Sequence, residues 1–240
     1  MKKLVTLSLV LFSVVATAQW GKRIKGNGKI VTIERSIGEY DAVALAGWFD
    51  VELVNGKEGQ LTLKGEENLL DYIKTEVKDG KLVIKKEKGV NLKSSNWNSG
   101  IVITVPVEEI ESVSLSGSGD IVSKTTLKAD NFKTSVAGSG DVSLSIEANA
   151  LKAALSGSGD IDLAGKAKTF EVSVAGSGDV KAFDLEADYV NARVSGSADI
   201  KVTANEEIKA RVSGSGDISY KGNPKKIDTK TSGSGDISSY

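Results

Sequence analysis

The sequence has no cysteine and no histidine, and only two prolines, one methionine, three tryptophans, five tyrosines and five phenylalanines in 240 residues. Without cysteine there can be no disulfide and no acylated lipoprotein N-terminus. Lacking both residues, the chain has no Ser-His-Asp or Cys-His nucleophile and none of the usual zinc ligand sets. Charge is balanced, with 31 basic against 32 acidic side chains, so the strongly basic face expected of a nucleic-acid binder is missing. Gly26-Asn27-Gly28 lacks the strand–helix context of a phosphate-binding loop, and no cofactor is implied. Large side chains are scarce while glycine is abundant, at 26 residues. A core must therefore be assembled from stacked small and β-branched residues.

The first eighteen residues read as a secretory signal peptide: Lys2 and Lys3, an apolar run from Leu4 to Val15, then Ala16-Thr17-Ala18. The run is shorter than the ~20 residues that span a bilayer, and no later segment is apolar enough to do so. Cleavage after Ala18 predicts an exported, non-lipoprotein chain from Gln19, bound for the periplasm, the outer surface or the medium. Residues 19–240 are expected to form one domain, irregular β structure over 19–107 followed by repeats over 108–240.

The repeat is the dominant feature. Gly-Ser-Gly-Asp begins at Gly117, Gly138, Gly157, Gly176, Gly214 and Gly233, and Gly196 opens the variant Gly-Ser-Ala-Asp, with successive steps of 21, 19, 19, 20, 18 and 19 residues. Four residues after the first glycine stand Ile121, Val142, Ile161, Val180, Ile200, Ile218 and Ile237. Two before it stand Leu115, Val136, Leu155, Val174, Val194, Val212 and Thr231. Apolar residues at alternate positions predict strands with one buried face. Each copy is too short to bury that face alone, so the copies must stack as coils. The predicted fold is all-β, a single-stranded parallel β-solenoid of about 19-residue coils, right-handed by the usual crossover rule.

Corner residues read as architecture. Gly117, Gly138, Gly157, Gly176, Gly196, Gly214 and Gly233 supply a bend that a Cβ would hinder, and Ala198 shows that the second glycine is the more replaceable. Stacking places Asp120, Asp141, Asp160, Asp179, Asp199, Asp217 and Asp236 in a column. Carboxylates ~4.8 Å apart repel by ~0.9 kcal/mol even in water, so the column must be solvated, hydrogen-bonded or bridged by cations. Turn capping is the simpler reading. A row of weak Ca²⁺ sites is the alternative, although the nonapeptide Ca²⁺ repeat does not match.

Before the repeats, Ile30–Ile33, Leu61–Leu63, Lys81–Lys85 and Ile101–Val105 read as strands, and Asp79-Gly80 as a hairpin turn. Val43 to Val51 fits the repeat frame around Gly47 and reads as a degenerate early coil. Lys88 to Gly100 reads as a loop and Glu66 to Tyr72 as a helical turn.

The signal peptide, the Ala46-Gly47-Trp48-Phe49-Asp50-Val51 segment, Glu67-Asn68-Leu69-Leu70 leading to Gly80-Lys81-Leu82-Val83-Ile84, and the Ser-Gly-Ser-Gly-Asp-Ile corners together resemble the head GIN domain family of auto-transporter adhesins. The resemblance covers nearly all of the chain after Ala18. It implies a non-enzymatic surface or envelope protein and no catalytic residues; "adhesin" is a label given to that family by analogy.

Three functions are weighed. The first is a binder of glycan or another envelope component along the solenoid flank. There Arg193, Arg211 and Lys230 share one outward position in successive coils, and Trp97 offers a ring for stacking on a sugar. The second is a lyase or hydrolase on polysaccharide, for which Asp162, Asp184 and Glu186 are the available acids; they read equally as surface charges. The third is a structural or regulatory envelope factor. An open last coil, four residues from Tyr240, predicts either weak self-association through that edge or a lid from another segment.

Overall fold

A computed structural model describes residues 21–96 and 99–240. The proposed signal peptide and Trp97 lie outside the described residues. Nine strands and one helical turn occupy the first part: β1 (Lys22–Lys25), β2 (Ile30–Ser36), β3 (Ala42–Gly47), β4 (Asp50–Asn55), β5 (Gln60–Glu66), α1 (Glu67–Leu70), β6 (Ile73–Lys78), β7 (Lys81–Lys86), β8 (Val90–Lys93) and β9 (Val102–Val107). The repeats follow as β10 (Ser112–Gly117), β11 (Ile121–Gly138), β12 (Val142–Gly157), β13 (Ile161–Gly176), β14 (Val180–Gly196), β15 (Ile200–Gly214), β16 (Ile218–Lys221), β17 (Lys226–Gly233) and β18 (Ile237–Ser239). Among the described residues no helix is long and apolar enough to cross a membrane.

The repeats form the expected parallel β-solenoid. Consecutive coils pair in register, so that Val136 lies beside Leu155, Leu155 beside Val174 and Val174 beside Val194. Ile121, Val142, Ile161, Val180, Ile200 and Ile218 form a column no more than 1% exposed. Phe132, Leu151, Phe170, Val190 and Ile208 make another, at most 3% exposed. Burying one such side chain contributes roughly 1.5–3 kcal/mol, so the columns supply the main cohesive force. Each corner is flanked by a strand on either side, and a full coil from one corner to the next is a single long strand, as in Val142–Gly157.

The corner geometry explains the glycines. Gly157 has φ 138°, in the region that disfavours side chains. A Cβ on it would sit 2.1 Å from the carbonyl oxygen of Gly138 in the preceding coil. That oxygen accepts hydrogen bonds from the backbone N–H groups of Ser158 (2.8 Å) and Gly159 (3.2 Å). The second glycine has no such φ, and its place is filled by the fully buried Ala198.

The early segment continues the stack. β3 lies parallel to β10 with Gly47 beside Gly117, and β4 lies parallel to β11 with Val51 beside Ile121. β7 then stacks parallel on β3, and β9 parallel on β4. Beyond these layers the direction reverses: β6 runs antiparallel to β7, β5 to β9 and β2 to β5. The solenoid thus extends into the first half and is closed by antiparallel strands, a capped end of the kind repeat arrays need. The hairpin turn holds Asp79 and Gly80 at φ 51° and 73°, and the predicted helical turn is α1. Arg35 donates to the Leu70 carbonyl at 2.7 Å, satisfying that end of α1.

Part of the expected loop from Lys88 to Gly100 is instead β8, paired in parallel with β1. The alternation of Val90, Asn91, Leu92 and Lys93 gives it one buried face, a signal that the surrounding polar residues mask. At the far end, β17 pairs with β15 alone among the described strands, leaving Ile227 53% exposed. Tyr240 there packs against Phe183 with ring centroids 5.0 Å apart and planes tilted by 47°, and the Lys221 ammonium lies 4.2 Å from the Phe183 ring.

A buried acid fastens the capped end. Glu66 is fully buried and accepts hydrogen bonds from the backbone N–H groups of Gly28 (2.8 Å) and Ser95 (2.9 Å). Burial works to raise its pKa, but bonds from the Ser95 hydroxyl and these two amides outweigh it and hold the carboxyl below 4.5. A depressed folded-state pKa contributes stability that is complete above the unfolded value and is lost on acidification.

Two outcomes follow from these contacts. Acid titration of thermal stability will show a loss beginning as the pH drops below 4.5, and Glu66→Gln will remove part of that dependence while lowering stability at pH 7. In urea titrations Gly157→Ala will cost about 1–3 kcal/mol through backbone strain alone. Gly159→Ala also brings a Cβ to 2.0 Å from a backbone oxygen, that of Gly140, but requires no positive φ. Ala198 shows that a coil can give way at this position, so the substitution will cost less.

Candidate functional site

Two surfaces of the solenoid carry the chemistry singled out in the sequence: the corner column of aspartates and the flank that precedes it.

The corner aspartates act on the backbone. In each step the Oδ1 atom of one aspartate accepts the backbone N–H of the aspartate one coil further on. The distances are 3.0 Å from Asp141 to Asp120, 2.8 Å from Asp160 to Asp141 and 2.9 Å from Asp179 to Asp160. Asp199 to Asp179 and Asp217 to Asp199 are also 2.9 Å, and Asp236 to Asp217 is 2.7 Å. The ladder reaches into the first half, where Asp50 accepts from Asp120 at 3.1 Å. A charge-assisted bond to an amide is stronger than a neutral one, which offsets the repulsion along the column. Lys181 adds a counter-charge at 2.8 Å from Asp160. Among the described residues no group of acidic side chains is arranged to hold a metal ion.

On the flank, outward positions one and three residues before each corner glycine carry small side chains over several coils: Ser135 and Ala137, Ala154 and Ser156, Ser173 and Ala175. Toward the C-terminal coils the outer column changes to Arg193, Arg211 and Lys230, brought side by side by the strand register. They border a shallow groove of about 680 Å³ floored by the Ser/Ala surface. Their charge is not all free. Arg193 lies 3.2 Å from Glu171, and Lys152 with Arg193 holds the Glu171 carboxyl below its ordinary range. Arg211 binds the Asp228 carboxylate at 2.6 Å and the Asp228 and Ala210 carbonyls at 2.8 and 3.0 Å. Among the described residues Lys230 forms no ion pair.

Of the acids that a polysaccharide-cleaving reading would use, Asp162 and Asp184 line one shallow pocket with Lys181 and Lys201, while Glu186 lies outside it. Asp162 sits beside Lys181 in the sheet register, Asp184 beside Ala164, and Glu186 pairs with Lys166 at 4.0 Å. Sequence reasoning missed the Ser/Ala floor, although its alternation of Ser and Ala was legible between the apolar columns. It also missed Glu171 and Asp228 as partners of the ladder, because their positions depend on inter-coil register.

The family pattern described as "Putative auto-transporter adhesin, head GIN domain" matches residues 39–224. The chain belongs to that family. Several solved structures share the fold of this head GIN protein. A "putative adhesin" from Bacteroides fragilis NCTC 9343 superposes with a TM-score of 0.81 at 25% identity, covering 90% of this chain and 100% of its own. A "putative lipid binding protein" from Parabacteroides distasonis ATCC 8503 gives 0.73 at 30% identity, covering 91% and 100%. A "putative adhesin" from Parabacteroides merdae ATCC 43184 gives 0.68 at 23% identity, covering 91% and 99%. No curated protein matches the chain. Family and neighbours are named as adhesins and a binding protein, not as enzymes.

The ladder makes a distinction that chemical denaturation can read. Asp199→Ala leaves the Asp217 amide without its acceptor and will cost about 1 kcal/mol. Asp199→Asn keeps the oxygen, removes one like charge from the column and will cost less. Equal losses in the two variants would contradict a capping role.

Proposed function

We propose that this head GIN protein is an exported, non-enzymatic envelope or surface protein that binds acidic glycan along its solenoid flank. The carrying observation is the in-register stack of Arg193, Arg211 and Lys230 beside the smooth Ser/Ala groove. Strands ~4.8 Å apart present these cations at a regular spacing along an extended, shallow surface. Such a surface suits a chain-like ligand with repeated uronate or sulfate groups better than a small enclosed substrate. The small floor side chains let a sugar ring approach the sheet closely. Glu171 and Asp228 hold the guanidinium groups of Arg193 and Arg211 in place, and both arginine side chains keep part of their surface in solvent. The family's name supports an adhesive role, and the balanced overall charge argues against binding to every polyanion. The neighbour named as a lipid binding protein favours a second reading, in which the same cations meet lipid phosphates.

Glycan arrays and lipid strips probed with the wild type and with the triple variant Arg193→Glu, Arg211→Glu, Lys230→Glu test this directly. The expected result is binding to sulfated or uronate-rich glycans that weakens with salt and falls at least tenfold in the variant. Silence on acidic glycans, or binding unchanged by the reversal, overturns the assignment. Lipid-only binding lost in the variant selects the second reading.

A further inference from the structure

A second concentration of positive charge lies at the capped end, on elements separate from the flank. We infer that the pocket between the β1–β8 ribbon and the end of β7 is an anion site for a compact multivalent phosphate, free or carried on a lipid headgroup.

The pocket has a volume of about 910 Å³, and among the described residues its charged lining is Lys22, Arg23, Lys86 and Lys88, with no carboxylate. Its frame is backbone. Lys22 and Arg23 are placed by parallel pairing with Val90 and Asn91, and the Lys22 N–H donates to the Gly89 carbonyl at 2.8 Å. Gly89 turns the chain between β7 and β8 at φ 80°, and no atom lies within 4 Å of where its Cβ would be, so that wall of the pocket stays bare. The Lys86 ammonium is fixed on the Val90 carbonyl at 2.7 Å. An ammonium carries three donors, so the others remain for a ligand.

Nearby acids are already committed. Glu87 pairs with Lys74 at 2.9 Å, Glu67 with Lys29 at 2.7 Å, and Glu66 is buried against the Gly28 and Ser95 amides. Among the described residues Lys22, Arg23 and Lys88 form no ion pair. A chain of formal net charge −1 thus gathers four cations around one cavity without a counter-charge. A single carboxylate would be satisfied by the Arg23 fork alone. Donors arriving from two strands and a turn instead fit a tetrahedral, multiply charged group, with the guanidinium binding two oxygens and the lysines acting as point charges.

Calorimetric titration with inorganic pyrophosphate, together with co-sedimentation on phosphatidylcholine vesicles with and without phosphatidic acid, whose phosphomonoester can carry two charges, tests the site. The wild type is expected to bind pyrophosphate, phosphatidic acid vesicles or both, more weakly as salt rises. The triple variant Lys22→Gln, Arg23→Gln, Lys88→Gln will lose at least tenfold in whichever binding is seen. The flank triple variant will retain it, which separates this site from the proposed function. Binding of pyrophosphate alone identifies a free phosphate, and binding of vesicles alone a headgroup. Circular dichroism checks folding, and Lys88→Gln alone, in an exposed turn, will still lose several-fold if the triple variant misfolds. No binding to either probe, or full binding by the pocket variants, overturns the inference.

Discussion

Each coil rests on the coil before it through a close, parallel, in-register contact, and the other features of the molecule depend on that contact. Strand spacing leaves no room for a Cβ at the first corner glycine, whose nearest neighbour is a carbonyl of the adjacent coil. The same spacing brings each aspartate within reach of the next aspartate's amide and sets each Ile or Val on its equivalent. A slip by one residue would turn every buried column outward and break the corner ladder at every step. Hydrophobic stacking supplies the cohesion, while the corner bonds fix the register.

This division of labour leaves the outward positions free. Residues at the corner are committed to backbone geometry, and the inward columns to packing. Variation without loss of fold is possible on the flank, where Ser and Ala give way to Arg193, Arg211 and Lys230 over the last coils. The end cap is the other place where sequence escapes the repeat, and there β1, β7 and β8 bring together lysines and an arginine that are distant along the chain. Both cationic surfaces are consequences of register acting on residues that the core does not need.

The solenoid was legible in the sequence because its determinants recur at a fixed step: the corner glycines, the Ile/Val column and the outward Arg193-Arg211-Lys230 positions. Even the degenerate coil around Gly47 kept enough of the frame to be read. The capping strands were not fully legible, since β7 on β3 and β9 on β4 pair across long sequence separations with no repeated signal. β8 was hidden in a polar stretch, where Val90 and Leu92 carry too little alternation to stand out. Glu66 gave no sign of burial because its partners, the Gly28 and Ser95 amides, are backbone groups. The ion pairs that orient Arg193 and Arg211 were likewise invisible until neighbouring coils fixed the positions of Glu171 and Asp228.

Amide hydrogen exchange at the corners tests the register lock most directly. The side chains of Asp141, Asp199 and Asp217 are exposed, yet each backbone N–H is held by an aspartate of the preceding coil. The account predicts protection of these amides comparable to that of the Ile161 and Val180 amides in the core strands. Exchange at the rates of an unstructured surface loop, with the core strands still protected, would contradict it.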